Sequence, residues 1–251
     1  MIIGPVHFQM QNMKYSASKE NYLKAIFHLQ QDQLSVSTNA LAHALQTKAA
    51  SVTEMLKKLK SQKLLQYEKY KGVKLTGEGR KVAILIIRKH RLWEYFLVHK
   101  LGFGWEEVHD IAEELEHITS RKLVDRLEEF LGFPVVDPHG DPIPDVQGRM
   151  PVSKQVNLAD VPINTPSTIC NIGDQSPDIM ELLNHKNIKI GTKLEVRKKF
   201  SFDNSLEIKV RSQSPFTISE HLAKNLFVKS EEPSVKKPKA EPVQVPGTKA
   251  L

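Results

Sequence analysis

The chain has 251 residues, 40% of them apolar and 26% charged, enough for one or two buried cores. No run reaches the ~18–20 apolar residues of a membrane-spanning helix, the first fifteen residues lack the basic start and apolar core of a signal peptide, and a lone cysteine, Cys170, leaves no internal disulfide to form. The formal charge of +7 points to a polyanionic partner such as nucleic acid, and the cysteine usage fits a reducing cytoplasm.

Residues 1–15 read as an N-terminal extension, with Met13 as an alternative start. From 16 to about 131 the pattern is mostly helical. Tyr22, Ile26 and Leu29 recur at helical spacing behind the polar stretch 16–20. A short helix is expected at 39–45 and a third at 51–61, with Val52, Met55, Leu56 and Leu59 on one face. β-like runs at 64–68 and 73–75 flank Lys71-Gly72 and predict a hairpin. A long helix follows over 78–101, then helices at 106–118 and 120–131, the last with an apolar stripe of Leu123, Leu127, Phe130 and Leu131. Pro134, Pro138, Pro142, Pro144 and Gly140 forbid regular structure across 133–144. Beyond them, 152–156, 168–172, 193–199 and 206–210 read as strands, 178–185 as a helix, and 216–225 holds a helical turn. This is the pattern of a small β-barrel domain. The Lys/Pro/Glu/Val-rich stretch 229–251 has no apolar period and reads as a disordered tail.

Helix, short turn, helix and β-hairpin form the order of a winged helix–turn–helix, whose second helix presents its N-terminal residues to base edges in the major groove. Here that end is Thr47-Lys48-Ala49-Ala50-Ser51-Val52-Thr53-Glu54. Ala50, like Ala49, permits close approach. Ser51 and Thr53 offer hydroxyls, Glu54 stands beside them, and Lys48 and Lys57 can neutralise phosphates. Lys69 and Lys71 sit at the hairpin tip with Tyr70 between them. The alternative is that these helices only pack, or contact protein, with their lysines solvated.

His90 and Glu94 are four apart and share a helix face. On the next helix His109, Glu113 and His117 repeat by four, with Glu116 in the same arc. Two such helices face to face would gather three imidazoles and three carboxylates, which are costly to bury without a cation. Imidazole and carboxylate suit Mn²⁺, Fe²⁺, Co²⁺ or Zn²⁺. His28, His43 and His221 read as ordinary surface or core histidines. Glu114-x-x-His117 has the spacing of di-iron carboxylate bundles, but the motif does not recur, since Ile87 stands three before His90. No enzyme is expected. A winged-helix regulator with a purely structural metal site and another effector is the remaining alternative.

The residues Arg88-Lys89-His90-Arg91-Leu92 followed by Glu94, then Val108-His109-Asp110 and Glu116-His117, resemble the diphtheria toxin repressor family of metalloregulators. The run Tyr67-Glu68-Lys69-Tyr70-Lys71-Gly72, with Leu75-Thr76 and Gly79, looks like the manganese transport regulator branch. His139-Gly140-Asp141-Pro142-Ile143-Pro144 is similar to the family's interdomain linker, and Ile188-Lys189-Ile190-Gly191-Thr192 to its Src-homology-3-like, FeoA-type barrel. The resemblance implies a mainly α protein with a small β domain: a winged helix–turn–helix at 16–77, a helical metal-binding and dimerisation domain with its linker at 78–144, and the barrel at 145–228. It implies a homodimer that grips a palindromic operator and represses metal-uptake genes, with no membrane partner and no organic substrate. One metal site would use His90, Glu94 and His109 with barrel ligands near Gln175 and Asp178. The other would use Glu113, Glu116 and His117 with Asn21 from the first helix. Lys24 stands where some manganese regulators carry a second acidic ligand. Glu113 stands where iron-type members have cysteine, which hardens the site and favours Mn²⁺ over Fe²⁺.

Overall fold

A computed structural model of the chain describes residues 15–31, 34–68, 72–151, 154–211 and 213–230. Helix α1 (Ala17–Leu29) turns Tyr22, Leu23, Ile26 and Phe27 inward. Ser37 starts α2 (Thr38–Ala44), its hydroxyl accepting from the Ala40 amide at 3.0 Å. A turn through Gln46, at φ 46°, leads into α3 (Ala49–Ser61), which begins earlier than its apolar period alone suggests. Val52, Leu56 and Leu59 anchor α3 in the core.

The hairpin pairs β1 (Leu65–Glu68) with β2 (Gly72–Leu75), and Val36 adds a bridge to Val73. That bridge brings the 35–36 backbone so close to Gly72, at φ +87°, that a Cβ there would overlap Ser35 Oγ and lie 2.8 Å from Val36 O. The hairpin tip, with Lys69 and Lys71, lies outside the described residues, as do 1–14 and 231–251 of the expected extension and tail.

Helix α4 (Gly77–Leu101) starts on Thr76, whose Oγ accepts from Gly79 N at 3.1 Å while its own N–H donates to Leu64 O at 3.0 Å. The helix serves two cores in turn. Val82, Ala83, Ile86 and Ile87 complete the core of the winged part. Leu92, Trp93 and Leu97 enter a second core with Val108, Ala112, Val124, Leu127 and Leu131. His90 falls at the junction. The second core is closed by α5 (Val108–Leu115), shorter than expected, and α6 (Arg121–Leu131), capped by Ser120. A partly buried ion pair, Arg88 to Glu128 at 2.6 Å, ties α4 to α6. Of the expected stripe of α6, Leu127 and Leu131 face inward with Val124, while Leu123 and Phe130, seven apart on a neighbouring line, stay exposed.

The chain divides into two compact units. The first holds everything to residue 154 together with 170–190, including α7 (Pro177–His185). The second holds 155–169 and the residues from 191 on. Its strands are β3 (Val156–Asn157), the start of β4 (Ser167–Ile172), β5 (Lys193–Lys199), β6 (Leu206–Val210), β7 (Phe216–Ile218) and β8 (Leu226–Ser230). They form a six-stranded sheet in the order β3-β8-β4-β5-β6-β7. Alternation sets Leu194 and Val196 inward with Leu206, Ile208 and Val210. The expected turn at 216–225 resolves into β7 and helix α8 (Glu220–Asn225).

Candidate metal centre

Glu94 is the hub of the first unit's polar interior, with 1% of its surface exposed. Helical spacing sets it one turn from His90, whose Nε2 lies 3.0 Å from Oε1. From α5, His109 Nδ1 reaches the same oxygen at 3.5 Å. The His90 and His109 rings meet edge to face, with centroids 4.9 Å apart. The other oxygen, Oε2, faces His139 Nδ1 at 3.8 Å. Ligand atoms of His90, Glu94 and His109 all lie within 4.8 Å of one another, and so do those of Glu94, Asp137 and His139. Two triads therefore share one carboxylate.

His139 sits in the proline-broken stretch, yet its ring is fixed. A carbonyl only accepts, so the 2.8 Å contact with Trp105 O puts a proton on Nε2. Nδ1 is buried and has no hydrogen-bond partner among the described residues. An imidazole held by one nitrogen on a carbonyl, with the other bare beside a carboxylate, has the build of an oriented metal ligand. The loop is clamped from both sides. Asp137 Oδ1 accepts from the His139 and Asp141 amides at 2.8 and 2.9 Å, and Ile172 N donates to His139 O at 3.1 Å. Sequence reasoning read this stretch as linker and missed Asp137 and His139; a histidine among prolines has no helical spacing to reveal a face.

Burial pushes the Glu94 carboxyl upward, but the imidazoles of His109, His139 and His90 around it overcome this and hold the group well below the usual carboxylate range. Contacts with Glu113 and Glu94 raise His109 to about 10. The bond from His109 takes Glu113 down to about 2 despite some burial. Burial, then repulsion from Asp141 and Glu94, lifts Asp137 to about 8. Beside these groups lies a cavity of about 280 Å³ lined by Lys24, His90, Glu94, His109, Glu113 and Gln175 among others. Gln175 Nε2 donates to Asp141 Oδ2 at 3.1 Å on its wall. Asp178 is exposed on the first turn of α7 and is not among the lining residues.

The remaining ligand-type residues gather differently. Glu116 is fully buried and accepts from His90 Nδ1 at 2.8 Å. Lys24 Nζ lies 2.8 Å from Glu116 and 3.2 Å from Glu113. His117 Nδ1 turns to Glu20 at 2.7 Å, and its Nε2 is 3.8 Å from Glu116. Asn21 Oδ1 is buried with no hydrogen-bond partner among the described residues. Glu20, which the sequence reading placed only in the polar stretch 16–20, thus takes part in the cluster one position before Asn21.

At the N-cap of α3 and along the helix, Lys48, Ala50, Ser51, Glu54 and Lys57 are exposed. The Thr53 hydroxyl donates back to Ala49 O at 3.0 Å, which leaves it an acceptor toward any partner. Lys57 pairs with Glu54 at 3.0 Å.

The buried carboxyl groups of Glu94 and Asp137, the unpartnered nitrogen of His139 and an all-nitrogen-and-oxygen donor set fit a divalent cation of hard or borderline character. Fold and site together define a winged-helix DNA-binding protein with a metal centre. Residues 14–73 match the iron dependent repressor N-terminal DNA binding domain, 76–145 the iron dependent repressor metal binding and dimerisation domain, and 156–230 the FeoA domain. The chain is 31% identical to the iron-dependent repressor IdeR of Mycobacterium leprae (strain TN) over 157 residues, 60% of this chain and 68% of that one. It is 34% identical to the HTH-type transcriptional regulator MntR of Oceanobacillus iheyensis over 116 residues, 46% of this chain and 78% of the other. Among solved structures, a manganese-dependent transcriptional repressor in complex with manganese superposes with a TM-score of 0.77 at 34% identity, covering 85% of this chain and all of that one. The chain belongs to the iron- and manganese-dependent family of transcriptional repressors.

Proposed function

We propose that this chain represses metal-uptake genes when Mn²⁺, in preference to Fe²⁺, binds around Glu94. The observation that carries the reading is the pair of triads sharing that carboxylate. His90, Glu94 and His109 would hold the ion, with Asp137 and His139 on the other side of Glu94 and Gln175 at the cavity wall. Asp178 and Asn21 would serve only after side-chain movement. A bound divalent ion supplies fixed positive charge between α4, α5 and the 137–141 loop. The absence of sulfur from this donor set supports the manganese preference.

His90 presents Nε2 to the centre because Nδ1 is engaged by Glu116. α4 carries that order directly into the core of the winged part through Ile86 and Ile87. Two chains, joined along the exposed Leu123 and Phe130 line, would then hold their α3 helices at the half-site spacing of a palindromic operator. The match to a dimerisation domain supports the homodimer. The cytoplasm is the proposed setting; among the described residues no helix is long and apolar enough to cross a membrane.

Fluorescence anisotropy of labelled operator DNA, titrated with Mn²⁺ or Fe²⁺ under anaerobic conditions, tests the reading. Wild type should bind only with metal and at lower Mn²⁺ than Fe²⁺, and E94Q should lose the response. DNA binding that survives chelation, or a full response in E94Q, would refute it; equal activation by both ions would refute the preference alone.

A further inference from the structure

We propose that Lys24 is a tethered cation: its ammonium supplies the positive charge that a second metal ion would bring between Glu113 and Glu116, so this cluster ties α1 to α5 without metal. The inference rests on the reading that metal binds around Glu94. Lys24 is only 13% exposed, and its Nζ stands 3.2 Å from Glu113 and 2.8 Å from a Glu116 that is wholly buried. A buried carboxylate must have a compensating charge, and here one arrives on α1.

The surroundings are balanced around that ammonium. Lys89 lies 3.7 Å from Glu20, Glu20 lies 2.7 Å from His117, and His117 lies 3.8 Å from Glu116. Lys24 then links Glu116 to Glu113. Along this line each acidic group has a basic neighbour, so a divalent ion placed between Glu113 and Glu116 would meet Lys24 at contact distance. Lys24 follows Glu20 by four residues, so both project from the same face of α1. Glu116 in turn accepts from His90 Nδ1 at 2.8 Å. Lys24 is therefore a positioning residue. It fixes Glu116, Glu116 fixes the His90 ring, and the Nε2 of that ring faces Glu94. The helix that opens the DNA-reading part is joined to the metal centre by side chains alone.

Equilibrium dialysis of the full chain against Mn²⁺, with metal quantified by mass spectrometry, tests this. K24Q should hold one more ion per chain than wild type, and adding H117A in that background should remove it. K24R should keep the wild-type number. A wild-type chain that loses an ion on H117A alone already carries metal in the cluster, and the proposal falls. It also falls if K24Q, folded by circular dichroism, holds the wild-type number. If K24Q does not fold, H117A in the wild-type background decides by itself. Unchanged metal content in E94Q is a separate result, which defeats the Glu94 reading rather than the role of Lys24.

Discussion

Replacing Gly140 by alanine should separate the loop's contribution to the metal centre from ordinary backbone strain. Gly140 has φ +89°, where an L side chain costs about 1–2 kcal/mol. An added Cβ would also overlap Cys170 O and lie 2.8 Å from both Cys170 C and Asn171 Cα. These are backbone atoms and cannot swing aside, so the loop must move, at a further cost of about 1–3 kcal/mol typical of overpacking. A loss of roughly 2–5 kcal/mol, at about 2–4 °C per kcal/mol for a chain of this size, lowers Tm by several degrees at least. The displacement falls on Asp137 and His139. Metal–ligand distances tolerate only about 0.2 Å, so Mn²⁺ affinity should drop about 10–100-fold, the range for disturbing a ligand's support. G102A is the control: Gly102 has φ +76° but open space around its Cβ, so only the conformational cost remains and metal affinity should hold. Thermal unfolding and Mn²⁺ titration calorimetry read both variants. If G140A matches G102A in both, the loop is not held by that contact and His139 does not depend on it.

Metal binding should strengthen with pH. Without metal, contacts with Glu113 and Glu94 keep His109 protonated up to about pH 10, whereas a ligating imidazole must be neutral. Each displaced proton contributes up to about tenfold in apparent affinity per pH unit, and calorimetry in buffers of different ionisation enthalpy should count proton release at pH 7.5; a flat affinity from pH 6.5 to 8.5 would contradict this. In the metal-free chain the same raised pKa implies the opposite trend: the stabilisation from charged His109 is fully present below pH 6.5 and fades as pH rises through 10, which a Tm series in chelator should follow. Phe130, 64% exposed beside Phe96, is the proposed dimer anchor; F130E should raise the dimer dissociation constant by about 30-fold, the size of a hot-spot loss of about 2 kcal/mol, and unchanged sedimentation would remove it from the interface. K48A should weaken operator binding uniformly across sequences and lower the salt slope by about 1; an unchanged slope would mean that Lys48 touches no phosphate.

What the sequence made legible follows from where each signal is local. The faces of α3 and α4 could be read because residues three and four apart meet on a helix, and the same rule joined His90 to Glu94 and ordered the residues of α5. Asp137 and His139 escaped because their approach to Glu94 depends on a close pass between a glycine turn and the backbone at 170–172, which no period records. Lys24 was visible only as the wrong charge at an acidic position; that it lies between two carboxylates is a fact of helix packing. Leu123 and Phe130 were read into one apolar stripe with Leu127 and Leu131 because apolar spacing marks a face, not what packs against it.

On the proposed reading, the placement of His90 and Glu94 would let a metal at Glu94 act on DNA binding. The upper turns of α4 belong to the winged core and the lower turns to the helical core. Between them the helix face is polar: Arg88 reaches Glu128 on α6, His90 reaches Glu116 just past α5, and Arg91 reaches the carbonyl of Pro142 at 2.6 Å. Apolar packing alone would leave the two cores joined by one helix. The polar belt fixes α4 against the helical part, and each of its bonds has a charged partner. A cation at Glu94 would act on a helix that both cores share, so a local change in charge would reach the winged part that carries α3.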